Sequence, residues 1–86
     1  MAKFVETTSA LTNGADTLAA SDRQGLIIGN LSDTVMSVRI GGVATATVGI
    51  VLAAGANITL QGRHAPDQLV TIFCAGTSKT YTAYEW

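Results

Sequence analysis

The sequence has few of the residues that usually stabilise or activate a small domain. Its 86 residues include one cysteine (Cys74), one histidine (His64) and one proline (Pro66). A single cysteine excludes an internal disulfide, and one histidine among six scattered carboxylates gives no cluster with metal-ligand spacing. So short a chain is only marginally stable by itself and depends on disulfides, metals or partners. We therefore expect no cofactor and no metal, and we expect self-association to provide the additional stability.

Charge is also scarce. Charged residues make up 13% of the chain and apolar residues 48%, and the formal net charge is -1. The five basic residues stand singly along the sequence, whereas nucleic-acid binding usually requires a basic stripe. We predict no nucleic-acid partner. A surface with so little charge is typical of a protein that binds other proteins.

One uncharged stretch, from Ile40 to Gln61, is long enough to cross a bilayer. Its four glycines, three threonines and one asparagine make it too polar and too broken for a spanning helix. The first residues lack the apolar core of a secretory signal, and the free cysteine fits synthesis in a reducing cytosol. We predict no membrane partner.

Short apolar runs separated by turn residues dominate the chain. Runs of four to seven residues rich in Val, Ile and Thr, punctuated by Gly, Asn and Asp, are typical of antiparallel strands. The predicted strands cover residues 25–31, 35–40, 44–48, 56–61, 69–75 and 80–86. Residues 3–8 are expected to be extended, and residues 50–52 to form a short apolar piece between two strands. A loop is expected around residues 12–16, and residues 18–21 are expected as either an edge strand or one turn of helix.

No segment has a helical period, so the predicted fold class is all-β. We expect a small antiparallel β-sandwich or jelly-roll-like barrel of about 6–8 short strands with little or no helix. The length leaves room for one domain, residues 1–86. Within it, residues 1–20 form either an N-terminal arm or an edge element.

A catalytic site is not predicted. His64 and Asp67 are close in sequence and resemble a base with its orienting carboxylate. They lie in a polar loop that contains proline, where both residue types are common as solvated turn residues, and no motif links them to a nucleophile. We expect no enzymatic activity.

The middle of the chain, from residue 23 to 75, resembles small virion structural proteins of tailed bacteriophages. In these proteins a first core strand of the type R..LIIQN.SD leads to a Gly-Gly turn and then to a unit of the type I.L.AG..ITL. The corresponding residues are Arg23-x-x-Leu26-Ile27-Ile28-x-Asn30-x-Ser32-Asp33-Thr34, Val38-x-Ile40-Gly41-Gly42-x-Ala44-Thr45 and Gly49-Ile50-x-Leu52-x-Ala54-Gly55-x-x-Ile58-Thr59-Leu60.

This resemblance implies a non-enzymatic structural protein, most specifically a capsid decoration or cement subunit that binds the outer head surface and stabilises capsomer contacts. The implied partners are the major capsid protein or another virion protein, together with further copies of the chain, with a trimer favoured over a dimer. The implied location is the virion, after synthesis in the bacterial cytoplasm.

Six residues are candidates for protein contacts. Tyr and Trp bring large rigid area to interfaces, and a last strand at a free edge would be open to pairing with a neighbour. The candidates are Phe4 and Val5 in an N-terminal arm, Tyr84 and Trp86 in the last strand, and Arg39 and Arg63 as rim charges. The alternative function is a ligand-binding module of a fibre or adhesin, in which aromatic residues and loop amides recognise a glycan or a host surface.

Overall fold

The computed structural model describes residues 5–86, which form two four-stranded antiparallel sheets packed face to face. Apart from the short 3-10 turn Gly62–His64, these residues contain no helix. The strands are β1 (Val5–Leu11), β2 (Gly14–Leu18), β3 (Gly25–Asn30), β4 (Met36–Ile40), β5 (Ile50–Leu52), β6 (Asn57–Gln61), β7 (Val70–Cys74) and β8 (Lys79–Glu85). The all-β prediction is confirmed.

The strand order is that of a jelly roll. Sheet A has the order β1-β8-β3-β6 and sheet B the order β2-β7-β4-β5, and the neighbours in both sheets are antiparallel. Strands adjacent in sequence lie in opposite sheets except for β4 and β5, which pair within sheet B, and this is the arrangement of a double-sheet jelly roll. The predicted small antiparallel β-sandwich or jelly-roll-like fold is confirmed, since the two sheets form a sandwich with jelly-roll strand order.

The core lies between the sheets and is formed mainly by alternate residues of the central strands, with one leucine from each of the edge strands β1, β2 and β5. In β4, Met36 and Val38 lie in the core and Arg39 is exposed, while Ser37 is also buried, at 5% exposure. Twelve buried side chains make up the core cluster: Leu11, Leu18, Leu26, Ile28, Met36, Val38, Leu52, Val70, Ile72, Cys74, Tyr81 and Ala83. Cys74 is completely buried.

The predicted strand over residues 44–48 is wrong. This segment forms turns with one isolated bridge between Thr45 and Val48, and it crosses the outer face of sheet B. The hydroxyl of Thr71 donates to the carbonyl of Gly42 (2.8 Å) and accepts from the amide of Ala44 (2.7 Å). These two bonds hold the segment over the sheet, so Ala44 is buried without belonging to a strand.

Two further expectations change at the ends of the chain. The loop expected over residues 12–16 is limited to Thr12 and Asn13, because β2 already begins at Gly14 and is an edge strand of sheet B. The last strand does not lie at a free edge. It is central in sheet A, between β1 and β3, because its inward residues Tyr81 and Ala83 fill the core.

Candidate assembly surface

The two edges of sheet A leave backbone groups unpaired. Gly25 and Trp86 exchange two backbone hydrogen bonds, of 3.0 and 3.1 Å, which fixes which residues of β8 face β3. Because the direction of backbone groups alternates along a strand, the intervening residues of β8 face β1. Applied to the pairings of β1 with β8 and of β6 with β3, the same alternation identifies the edge-strand residues whose backbone amides and carbonyls point away from the sheet. They belong to Glu6, Thr8 and Ala10 on β1 and to Asn57, Thr59 and Gln61 on β6.

Neither edge strand of sheet A has the usual protection against pairing. Natural edges are blocked by proline, lysine, bulges or very short strands. β1 reads VETTSAL and β6 reads NITLQ, and Glu6 is the only charged residue in the two strands. Sheet B differs on its β5 side, where the edge strand has three residues. The β1 edge and the β6 edge are therefore open templates for a further strand.

The open edges lie on opposite sides of the sandwich. On one side, β1 and β2 contact each other and are joined by Thr12 and Asn13. On the other side, β5 and β6 are joined by residues 53–56, in which the amide of Ala56 donates to the carbonyl of Ala53 at 3.0 Å. Each side thus presents one edge of sheet A and one edge of sheet B.

The side formed by β5 and β6 also has a patch of exposed apolar residues, which we call the apolar rim. Ile50 and Val51 belong to β5 itself, and Val51 is 68% exposed. Val48, which lies just before β5, adds to them, so that the apolar rim consists of Val48, Ile50 and Val51. In a domain of this size such a patch is typical of a protein-binding surface.

The outer face of sheet A is almost uncharged and contains a shallow groove of about 420 Å³. Two of the rows of cross-strand neighbours on this face are Glu6-Tyr84-Ile27-Thr59 and Thr8-Thr82-Gly29-Asn57. A Cβ at Gly29 would lie 3.3 Å from the Thr82 methyl group. The groove is open because this central position has no side chain.

Tyr84 is held in place on this face. Its hydroxyl donates to the carboxylate of Glu6 on the neighbouring strand, and this bond, reinforced by the negative charge, raises the pKa of Tyr84. The phenol therefore stays protonated at neutral pH, and Tyr84, which pairs with Ile27, is 39% exposed.

Trp86 covers the start of β3. A Cβ at Gly25 would overlap the indole ring, so glycine is required for the ring to lie against the backbone. Trp86 is half-buried in this position. Tyr84 and Trp86 belong to the same face of the sheet, as the spacing of the two residues in a strand predicts.

The structure brings together some of the contact candidates and separates others. Val5 is 50% exposed and pairs with Glu85, so it lies at the same end of sheet A as Tyr84 and Trp86. Arg63 is exposed in the 3-10 turn that follows β6.

The other two candidates have no place in this group. Arg39 lies apart, on the outer face of sheet B, where it donates to the carbonyl of Val43 at 3.2 Å. Phe4 lies outside the described residues.

Two buried polar residues are important to the fold but give no recognisable signal in the sequence. The side chain of Arg23 is 1% exposed and contacts the carboxylate of Glu85 at 2.5 Å. Its other nitrogens donate to backbone carbonyls at 2.6–2.8 Å. Asn30 is 1% exposed and uses both ends of its amide. The resemblance motif contains both residues, but nothing in it indicates burial.

A metal-binding cluster is not found in the described part of the chain. Residues 5–86 contain no group of three or more His, Cys, Asp or Glu side chains that could hold a metal ion. His64 is exposed at the end of the 3-10 turn and Asp67 is exposed in the loop that follows. Within the same residues, no helix has the length and apolar character needed to span a membrane.

Comparison with known proteins gives a structural likeness only. No protein-family model and no curated protein sequence matches the chain. The solved structures include a similar chain from work described as "Bacillus endospore appendages form a novel family of disulfide-linked pili". The two chains are 20% identical with a TM-score of 0.50, over 98% of this chain and 84% of the other. At this identity the likeness is one of fold.

Proposed function

We propose that this chain is a non-enzymatic structural subunit of a phage virion, a capsid decoration or cement protein that acts by assembling with copies of itself and with capsid protein. The observation that carries the proposal is the pair of unprotected edges of sheet A together with the apolar rim. These surfaces are extended and poor in charge, as surfaces for protein association are.

Physical chemistry favours such a role for a domain of this size. A small domain gains stability from any partner that binds only its folded state. Clamping neighbouring capsomers would stabilise the decoration protein and the shell together. The phage setting itself depends on the sequence resemblance over residues 23–75.

The structural neighbour is a precedent for this fold in an assembled appendage, since the chain of that study belongs to pili that are linked by disulfides. Disulfide linkage is not part of our proposal. The single cysteine, Cys74, is completely buried in the core, where a thiol of another folded copy has no access.

The direct test is the copy number of the chain in purified virions of the phage that encodes it, measured by quantitative mass spectrometry against the major capsid protein. The proposal predicts copies comparable to the capsid protein. A few copies per particle would move the protein to the neck, vertex or tail and would contradict a decoration role. Absence from virions would refute the phage assignment.

Replacing Tyr84 or Trp86 by alanine is expected to weaken binding to capsids about tenfold or more, because aromatic anchors provide much of the energy of an interface. Leu69→Ala is the matched control, since Leu69 is 37% exposed and Tyr84 is 39% exposed. Co-sedimentation with undecorated capsids measures the effect, and thermal unfolding checks that each variant is folded. Unchanged binding by both aromatic variants would remove them from the contact surface.

The groove on sheet A is the specific observation that favours a second candidate function, recognition of a neutral glycan. Tyr84 and Ile27 provide an apolar wall on which a sugar ring can stack. Asn57, Thr59 and Thr82 add an amide and two hydroxyls, and the groove has no charged lining residue. Such a pairing of apolar wall and polar groups is common in ligand sites.

This second function predicts that Gly29→Val abolishes glycan binding, because the added side chain fills the groove. Ala10→Val is the control, since it adds bulk to the same face at a residue that does not line the groove. The measurement is an array of neutral oligosaccharides followed by titration of any ligand found. No binding by the unmodified chain, or equal binding by both variants, would rule this function out.

A further inference from the structure

The open edges of sheet A are complementary to each other. All neighbouring strands of this sheet are antiparallel and there are four of them, so β1 and β6 run in opposite directions. A second copy displaced sideways across the strands therefore places its β1 antiparallel to the β6 edge of the first copy. The same displacement places β2 of the second copy beside β5 of the first, also antiparallel.

The backbone groups match in this arrangement. Glu6 and Thr59 lie in one row of cross-strand neighbours, and Thr8 and Asn57 lie in the next. A copy displaced without sliding brings Thr59 opposite Glu6 of the next copy and Asn57 opposite Thr8 of the next copy. All four residues point their free amides and carbonyls away from their own sheet, so each facing pair can exchange hydrogen bonds as paired strands do.

Side chains and charges favour the same arrangement. The apolar rim lies on the side of β5 and β6, and it would meet the side of β1 and β2, where Ala15 and Thr17 are exposed and uncharged. Arg63 follows the end of β6, and Glu6 lies near the start of β1. Antiparallel pairing brings these two ends of the strands together, and their opposite charges attract each other.

The geometry points to head-to-tail assembly, in which the β6 edge and apolar rim of one copy bind the β1 edge of the next copy and continue sheet A from subunit to subunit. Pairing of β1 with β1 across a two-fold axis would leave the apolar rim uncovered. Head-to-tail contacts close into rings when the rotation between copies allows it and otherwise form filaments. A trimer, the oligomer that the sequence resemblance favours, is the smallest such ring.

Two proline variants test this order of pairing. Thr8→Pro removes a free amide from the β1 edge, and Thr59→Pro removes one from the β6 edge, while the amides that pair within sheet A are kept. Thr8→Val and Thr59→Val are the controls, because they change the same side chains and retain the amides. The Thr8 hydroxyl contacts the Thr82 hydroxyl at 3.1 Å, and both Thr8→Pro and Thr8→Val remove this contact. The valine control therefore separates the loss of the contact from the loss of the free amide.

Native mass spectrometry and sedimentation of the full chain measure the result. We expect oligomers for the unmodified chain and both valine controls, and about tenfold weaker self-association for each proline variant alone. A mixture of the two proline variants is expected to form a one-to-one heterodimer and nothing larger, since each chain contributes its one intact edge.

Three results would overturn the inference. The first is a monomeric unmodified chain, and the second is proline variants that assemble like their valine controls. The third is that the Thr59→Pro variant by itself still forms dimers while the Thr8→Pro variant forms none. The last would indicate two-fold pairing of β1. The inference builds on the proposed structural role but fails separately from it, because copy number in virions tests that role whatever the order of pairing.

Discussion

Replacing Arg23 by methionine is expected to lower the free energy of unfolding by about 3–5 kcal/mol, the usual cost of removing one partner of a buried ion pair. The guanidinium bonds the Glu85 carboxylate and the carbonyls of Ala19, Pro66 and Gln68. Methionine fills much of the same volume but leaves these four acceptors without a donor. Because the contacts link the end of β8 to two loops, the loss affects the end of sheet A at which Trp86 lies.

Lysine at position 23 is expected to rescue little of this loss. Its ammonium is a compact point charge, whereas the contacts of Arg23 diverge from three nitrogens of a planar fork. Urea unfolding followed by circular dichroism measures both variants, at one fixed protein concentration because self-association stabilises the folded state. Arg63→Met is the control and should change stability by no more than about 0.5 kcal/mol, as exposed substitutions do. A loss below about 1 kcal/mol for Arg23→Met would show that the buried network contributes little.

Most of the strand series could be predicted because alternation and turn residues are local signals. β6 is observed within the predicted residues 56–61, and the strand expected at 69–75 is observed as the central strand β7. A run that is apolar on both faces predicts a central position without any knowledge of its partners. The outer face of β7 is covered by the 41–49 segment, which is held there by the two hydrogen bonds of the Thr71 hydroxyl.

The same kind of signal failed where a distant residue decides the structure. Residues 43–48 alternate as a strand does, but the two hydrogen bonds of Thr71, 27 and 29 residues away along the chain, hold this segment across sheet B. The central position of β8 depends on the pairing of both chain ends, since β1 lies on one side of it and β3 on the other. Periodicity within a window contains no information of this kind.

Only the local features of the candidate surface could be predicted from the sequence. The spacing of Tyr84 and Trp86 was enough to place both residues on one face of the last strand. The two open edges could not be located, because an edge is a property of the sheet and not of the strand, and the sequence left residues 1–20 as either an arm or an edge element. Nothing in VETTSAL or NITLQ says that these strands lie at the two ends of one sheet. The buried roles of Arg23 and Asn30 likewise depend on carbonyls from other parts of the chain.

Replacing Asn30 by aspartate is expected to destabilise the fold by about 3 kcal/mol or more at neutral pH, because a charged group would face acceptors that now have a donor. The Asn30 amide nitrogen donates to the carbonyls of Thr34, Leu52 and Ala53 at 2.8, 2.9 and 3.2 Å. Its oxygen accepts from the amide and the hydroxyl of Ser32 at 2.9 and 2.7 Å. One side chain therefore fastens the turn after β3 to the end of β5, beside the apolar rim.

The pH dependence separates this explanation from a simple packing defect. Burial against carbonyl oxygens disfavours the charged form and raises the pKa of the introduced carboxyl above its unfolded value of about 4. The folded variant then binds a proton more tightly than the unfolded chain, so the destabilisation relative to the unmodified chain should shrink as the pH falls toward 4 and below. Asn30→Ala removes the same bonds without adding a charge, and its deficit should stay nearly constant over this range. Urea unfolding at several pH values between about 3 and 7, a range that covers the titration of a carboxyl group, measures the free energy of unfolding of both variants. Equal and constant deficits for the two variants would mean that the carbonyls are satisfied by solvent in the variant, and that Asn30 acts mainly by filling space.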